Sequence, residues 1–175
     1  WEKDTATIFL NWMESISEVS TGLVCISQSV ANEVYDWLTR NPPSRCENLP
    51  IGYFHLGADL NNSAPSFGIP KNANQIIELM KQNKSFMMVG TIEPRKGYDQ
   101  VISAFDLLWQ NDLNVNLIII GKKGWLVDDL VERIQNHPYF GSKLIWLEGI
   151  SDEYLDLLYS HTSALIMASE GEGFG

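Results

Sequence analysis

The run NLIII (116–120), closed by Gly121, constrains the fold more than any other feature of this chain. A strand with one face in water alternates apolar and polar residues; this one is apolar on both faces and needs cover on both. SFMMV (85–89), LIWL (144–147), ALIMA (164–168) and the shorter LVCIS (23–27) read the same way. Between them the apolar residues recur at helical spacing. Val101, Ile102, Phe105, Leu108 and Trp109 mark one stripe, and Leu126, Leu130 and Ile134 a second, widened by Val127 and Val131. Leu155, Leu158 and Tyr159 form a third behind Ser151, a natural helix cap followed by Asp152 and Glu153. Nearer the start, Ile8, Phe9, Trp12, Met13 and Ile16, with Asp4 as a cap, predict a helix. Val30, Val34, Trp37 and Leu38 predict another that stops before Pro42 and Pro43. Strands that are apolar throughout, alternating with helices, imply an α/β fold with a Rossmann-like, doubly wound parallel sheet. Trp12, Trp37, Trp109 and Trp146 fall on the expected buried positions, whereas Trp125 follows a glycine turn.

Residues 61–74, rich in Asn, Ser, Pro and Gly, read as a loop or linker, and the composition stays broken to about position 83. Two domains are therefore expected, over 1–70 and 71–175. The start lacks the pattern of a signal peptide and the end, SEGEGFG, carries no closing element, so the chain is read as a piece of a longer one. A net charge of -10 argues against a nucleic-acid backbone or an anionic membrane surface as the main partner. Two cysteines, Cys25 and Cys46, form no metal-like cluster with His55, His137 or His161 and point to reduced thiols.

Against that acidity stands VGTIEPRKG (89–97), where Arg95 and Lys96 follow a strand end directly. Lys122 and Lys123 follow another strand end. Ligands of open parallel sheets bind outside the carboxyl ends of the strands. A rim of cations there, with helix amino termini near Gly97 and Leu126, suits a phosphate. The spacing is not that of a P-loop, because Arg95 occupies the place of its second glycine, and no GxGxxG follows any strand. On the residues alone, a solvated basic loop stays open as the alternative.

The second constellation is SEGEGFG (169–175), straight after the last strand. Glu170 and Glu172 suit hydroxyl recognition, and the glycines Gly173 and Gly175 admit close approach of a ligand to the backbone. An ordinary glycine-rich turn with solvated acids is the alternative. Phosphate-binding cations beside polyol-binding carboxylates point to a phosphorylated or nucleotide-linked sugar.

In this order the motifs resemble the family-4 glycosyltransferases, retaining enzymes of the GT-B fold. The resemblance runs from about residue 22 to the end. TGLVCISQSVANEVYDWL and PIGYFHLGADL resemble the close of the acceptor domain and the linker, and FMMVGTIEPRKGYDQVISAFDLL opens the donor domain. NLIIIGKKGW, KLIWLEGISDEYLDLLY and ALIMASEGEGFG follow in the family's sequence. The resemblance implies that Arg95 and Lys96 hold the donor diphosphate and stabilise the leaving nucleotide, with the Gly90–Thr91 turn close to it. It implies that Glu172 meets the donor sugar as the first Glu of an E-x7-E motif, with Gly173, Phe174 and Gly175 offering backbone donors, and that Leu147 to Gly149 lie at the base. Arg95, Lys96 and Glu172 are then the catalytic set, and Gly90, Thr91, Leu147, Gly149 and Glu170 complete the donor site. No metal and no cofactor are implied.

The implied reaction moves a sugar from a nucleotide-diphosphate donor, GDP-mannose on the likeness to bacterial polysaccharide mannosyltransferases, to a growing glycan or lipid-linked acceptor. It implies a cytoplasmic enzyme, at the inner face of the cell membrane in many family members. The second Glu of the motif and most of the acceptor domain are absent from the sequence, so this piece alone is expected to be inactive. The competing readings are a non-catalytic nucleotide- or phosphate-binding module and a relative of sugar phosphorylases or sugar-phosphate synthases.

Overall fold

A computed structural model describes residues 3–45, 48–57 and 68–172, with the side chains of Lys3 and Asp4 outside the description, as are Cys46 and the whole of 61–67. The contacts divide the chain into two units, Trp1–Ala58 with Glu172–Gly175, and Asp59–Gly171.

The first unit runs α1 (Lys3–Val19), β1 (Leu23–Cys25), α2 (Gln28–Arg40) and β2 (Ile51–Tyr53). β1 and β2 pair in parallel, with Leu23 opposite Ile51. Ser27 caps α2 by accepting the Val30 N–H at 3.2 Å. The guanidinium of Arg45 donates to the carbonyls of Ser17 and Ser20, placing a cation where the last turn of α1 leaves carbonyls unmatched. Cys25 is a buried free thiol. Trp12, expected in the core, is 53% exposed, and Ile8 and Phe9 are exposed too. The physical reason is area: two three-residue strands offer too little surface to cover a helix of 17 residues.

The second unit is the doubly wound sheet expected from the sequence. It contains α3 (Ala73–Gln82), β3 (Lys84–Val89), α4 (Tyr98–Gln110), β4 (Val115–Ile120), α5 (Asp128–Gln135), β5 (Leu144–Leu147), α6 (Asp152–Tyr159) and β6 (Ala164–Leu165). The four strands are parallel in the order β5–β4–β3–β6. The period-2 alternation of β4 divides the core. Leu117 and Ile119 pack with Ile102, Phe105, Val131 and Ile134 of α4 and α5, while Ile118 and Ile120 pack with Ile77, Met80, Tyr154 and Leu158 of α3 and α6. Among the four tryptophans, Trp109 is the fully buried one. It donates from Nε1 to the Val115 carbonyl at 2.8 Å and meets Tyr139 and His137 ring to ring, whereas Trp37 and Trp146 are half-buried.

Three expectations need correction. The loop read over 61–74 gives way to α3 by Ala73; its buried face is only Ala73, Ile77 and Met80, set among Asn, Gln and Lys, and packing on the sheet decides the helix. The α5 stripe starts later than expected, because Leu126 sits at φ 51° before the helix and is 68% exposed. ALIMA pairs as a strand only over Ala164–Leu165, although the Ile166 N–H still reaches the Met87 carbonyl at 2.7 Å. Ser151 caps α6 as expected, accepting the Tyr154 N–H at 3.2 Å, and its hydroxyl donates to the Gly68 carbonyl at 2.6 Å.

Ile118 is fully buried at the centre of one sheet face. Ile118→Ala is expected to lower unfolding stability by about 2–5 kcal/mol, read as a shift in a urea-denaturation midpoint. A change under about 1 kcal/mol would show that the α3/α6 face is not tightly packed.

Candidate donor-binding site

The ends of three strands lie level, because Val89 pairs with Ile120 and Ile120 with Leu147. The ladder continues past them. The Gly90 N–H donates to the Ile120 carbonyl at 2.8 Å, the Gly121 N–H to Leu147 at 3.0 Å, and the Ile92 N–H to Lys122 at 2.9 Å. This close approach needs glycine. A Cβ at Gly121, where φ is 154°, would stand 1.9 Å from the Gly90 carbonyl oxygen.

From Gly90 the chain folds through a 3-10 turn, Pro94–Lys96, and enters α4 at Gly97, which has φ 69°. A Cβ there would lie 2.3 Å from the Ala168 carbonyl oxygen, so the start of α4 is pressed against the segment leaving β6. Tyr98 locks the loop from below, its hydroxyl donating to the Gly90 carbonyl at 2.7 Å. Burial, and then the charge of Glu93, push the Tyr98 phenol up to about 12.

Strand order changes direction here. β3, β4 and β5 step outward on one side, and β6 returns to the other side of β3. In open α/β sheets, that switch point is where the crevice forms. Half-buried Lys96 lines a narrow cleft at this point with Val89, Tyr98, Ile166, Ala168 and Ser169. The N–H groups of Gly90 and Ile92 are used toward β4, so that of Thr91 faces the β6 side, and among the described residues it has no backbone partner.

The remaining expected residues are placed differently. Arg95 is turned to its own surroundings: Nε lies 3.2 Å from Glu93 Oε2, Nη1 donates to the Gly171 carbonyl at 3.0 Å, and its carbonyl accepts the Glu170 N–H at 2.8 Å. Lys122 and Lys123 are both exposed on the same edge of the sheet. Lys123 is paired with Asp128 at the start of α5, and its N–H donates to Glu148 at 3.1 Å. Leu147 ends β5 half-buried, and Gly149 turns the chain at φ 61°. Glu170 borders a separate cavity of about 640 Å³ between the starts of α4 and α5, with Asp99, Asp128 and Asp129 also at its wall and no cation. Two of these carboxylates are paired with cations, Asp128 with Lys123 and Asp99 with Arg133. Glu172 is half-buried and groups with the first unit, while Gly173, Phe174 and Gly175 lie outside the described residues. Sequence reasoning missed Tyr98 and Glu93; a Gly-Tyr pair opening a helix straight after the basic pair was the signal available.

Residues 70–175 match the family described as glycosyl transferases, group 1. The chain belongs to that family. It is also similar to serotype-specific mannosyltransferases WbdA of Escherichia coli, with 48% identity over 166 residues in one and 46% over 168 in another, each covering 94% of this chain and 20% of the relative. The O-antigen chain mannosyltransferase B of Escherichia coli is 31% identical over 90 residues, 51% of this chain and 23% of that protein. The chain thus spans about a fifth of the length of the curated relatives it matches. The glycosyltransferase resemblance read from the ordered motifs is borne out, and so is the Rossmann-like sheet of this group 1 domain.

Two outcomes follow from the loop geometry. Gly97→Ala is expected to cost about 1–3 kcal/mol, because it adds both left-handed strain and a clash with Ala168. A denaturation midpoint within error of the wild type would mean that the α4–β6 contact is loose. Because the folded-state phenol of Tyr98 titrates above its unfolded value, its stabilisation is whole below pH 10 and is lost as pH rises towards about 12. Tyr98→Phe is expected to flatten that alkaline decline in stability against pH, and an unchanged slope would count against a buried phenol.

Proposed function

We propose that the protein containing this chain is a retaining mannosyltransferase that uses a nucleoside diphosphate mannose, with guanine as the expected base. The observation that carries the reading is Lys96, half-buried close to Gly90 and lining the cleft at the switch point of the sheet. A departing diphosphate gains negative charge as the glycosidic bond breaks. A cation and an N–H fixed before the reaction therefore stabilise the transition state more than the bound donor. No metal is called on in this scheme. In it the Gly90–Thr91 turn and Lys96 meet the diphosphate, Leu147 and Gly149 border the base, and Glu172 with the glycines after it meets the sugar. The family match and the names of the relatives support transfer of mannose to a growing surface polysaccharide. The buried free thiol of Cys25 is in keeping with the cytoplasm as the compartment.

The test is calorimetric titration of the full protein with guanosine and uridine diphosphates, alongside Lys96→Ala. One nucleotide is expected to bind, and loss of a charge-assisted contact is expected to weaken it by about 10- to 100-fold. Binding of neither nucleotide, or equal binding by the variant, would contradict the proposal.

A further inference from the structure

The cleft contains Lys96, but its neighbour Arg95 is occupied elsewhere, and what occupies it is the acidic glycine loop. Its carbonyl accepts the Glu170 N–H at 2.8 Å, and its Nη1 donates to the Gly171 carbonyl at 3.0 Å. Consecutive residues of the loop are therefore held by one residue, once through its backbone and once through its side chain. Glu93 fixes the guanidinium from behind at 3.2 Å and offsets its charge. The planar fork of Arg can hold two acceptors at a set angle, which an ammonium on a flexible stem cannot.

We infer that Arg95 is a positioning residue, which clamps the acidic glycine loop at 170–171, rather than a direct ligand of the diphosphate. The need for a clamp comes from composition. A run with glycine at 171, 173 and 175 has more backbone freedom to lose than any other, and ordering it without a fixed anchor is costly. The pair Arg95–Glu93 brings little net charge to the rim, and on this account the electrostatic work on the leaving group falls to Lys96. This inference rests on the proposed transferase reading for its catalytic consequence, but the clamp itself does not.

The experiment compares Arg95→Ala, Arg95→Lys and Lys96→Ala in the full protein. Three readouts are taken: amide hydrogen exchange of the peptide containing 169–172, affinity for the free nucleoside diphosphate, and the kcat and KM of mannosyl transfer. For Arg95→Ala, exchange in the loop is expected to quicken about tenfold or more. Diphosphate affinity should stay within about threefold, while kcat falls roughly 30-fold or more, because a misplaced group costs turnover and not diphosphate binding. Arg95→Lys keeps the charge and is expected to rescue neither the exchange nor kcat.

Unchanged exchange in Arg95→Ala would overturn the clamp. So would a loss of diphosphate affinity as large as that of Lys96→Ala, or full rescue by lysine, each of which would make Arg95 a simple phosphate cation. If the wild type bound no nucleotide at all, the transferase reading would fail, and the exchange measurement would still decide whether Arg95 holds the loop.

Discussion

The site depends on how closely two backbone segments approach each other at the carboxyl edge of the sheet. Gly97 sits where any side chain would collide with Ala168, and Gly121 where any would collide with Gly90. These contacts draw together the start of α4, the exit of β6 and the ends of β3 and β4. Only after they are made can Lys96 line a narrow cleft. The large apolar core on both faces of the sheet supplies the rigidity, since a packed interior does not deform continuously. The two faces of β4, filled by Leu117 and Ile119 on one side and Ile118 and Ile120 on the other, are what hold that edge level.

Local charge placement matters more than the net charge of -10. Two of the four rim cations are committed to carboxylates beside them, Arg95 to Glu93 and Lys123 to Asp128. The cavity between the starts of α4 and α5 is bordered by Asp99, Asp128, Asp129 and Glu170. On the proposed reading Lys96 works through fixed geometry, because a charge held in place before the reaction needs no reorganisation during it.

Much of this was legible in the residues. The uninterrupted apolar runs gave away a sheet covered on both sides, and Gly-Thr followed by Arg-Lys-Gly marked a strand-to-helix loop at its carboxyl end. Ser151 before two acids marked a helix start that the structure places there. What could not be read depended on partners distant in sequence. Helix α3 hides among amides and lysines, and its three buried residues gain meaning only against Met87 and Ile118. Trp12 has the spacing of a core residue, yet the strands of its own unit are too short to cover it. Adjacent cations look equivalent on paper. Arg95 and Lys96 separate into a loop anchor and a cleft residue because a glycine carbonyl, 76 positions away, accepts one of them.

A crystal structure of the full protein with its nucleoside diphosphate would test the central claim most directly. The account predicts the terminal phosphate within about 2.7–3.2 Å of Lys96 Nζ and the Thr91 N–H, over the ends of β3 and β6. A nucleotide bound away from that cleft, in the carboxylate-lined cavity between α4 and α5 or elsewhere, would contradict it.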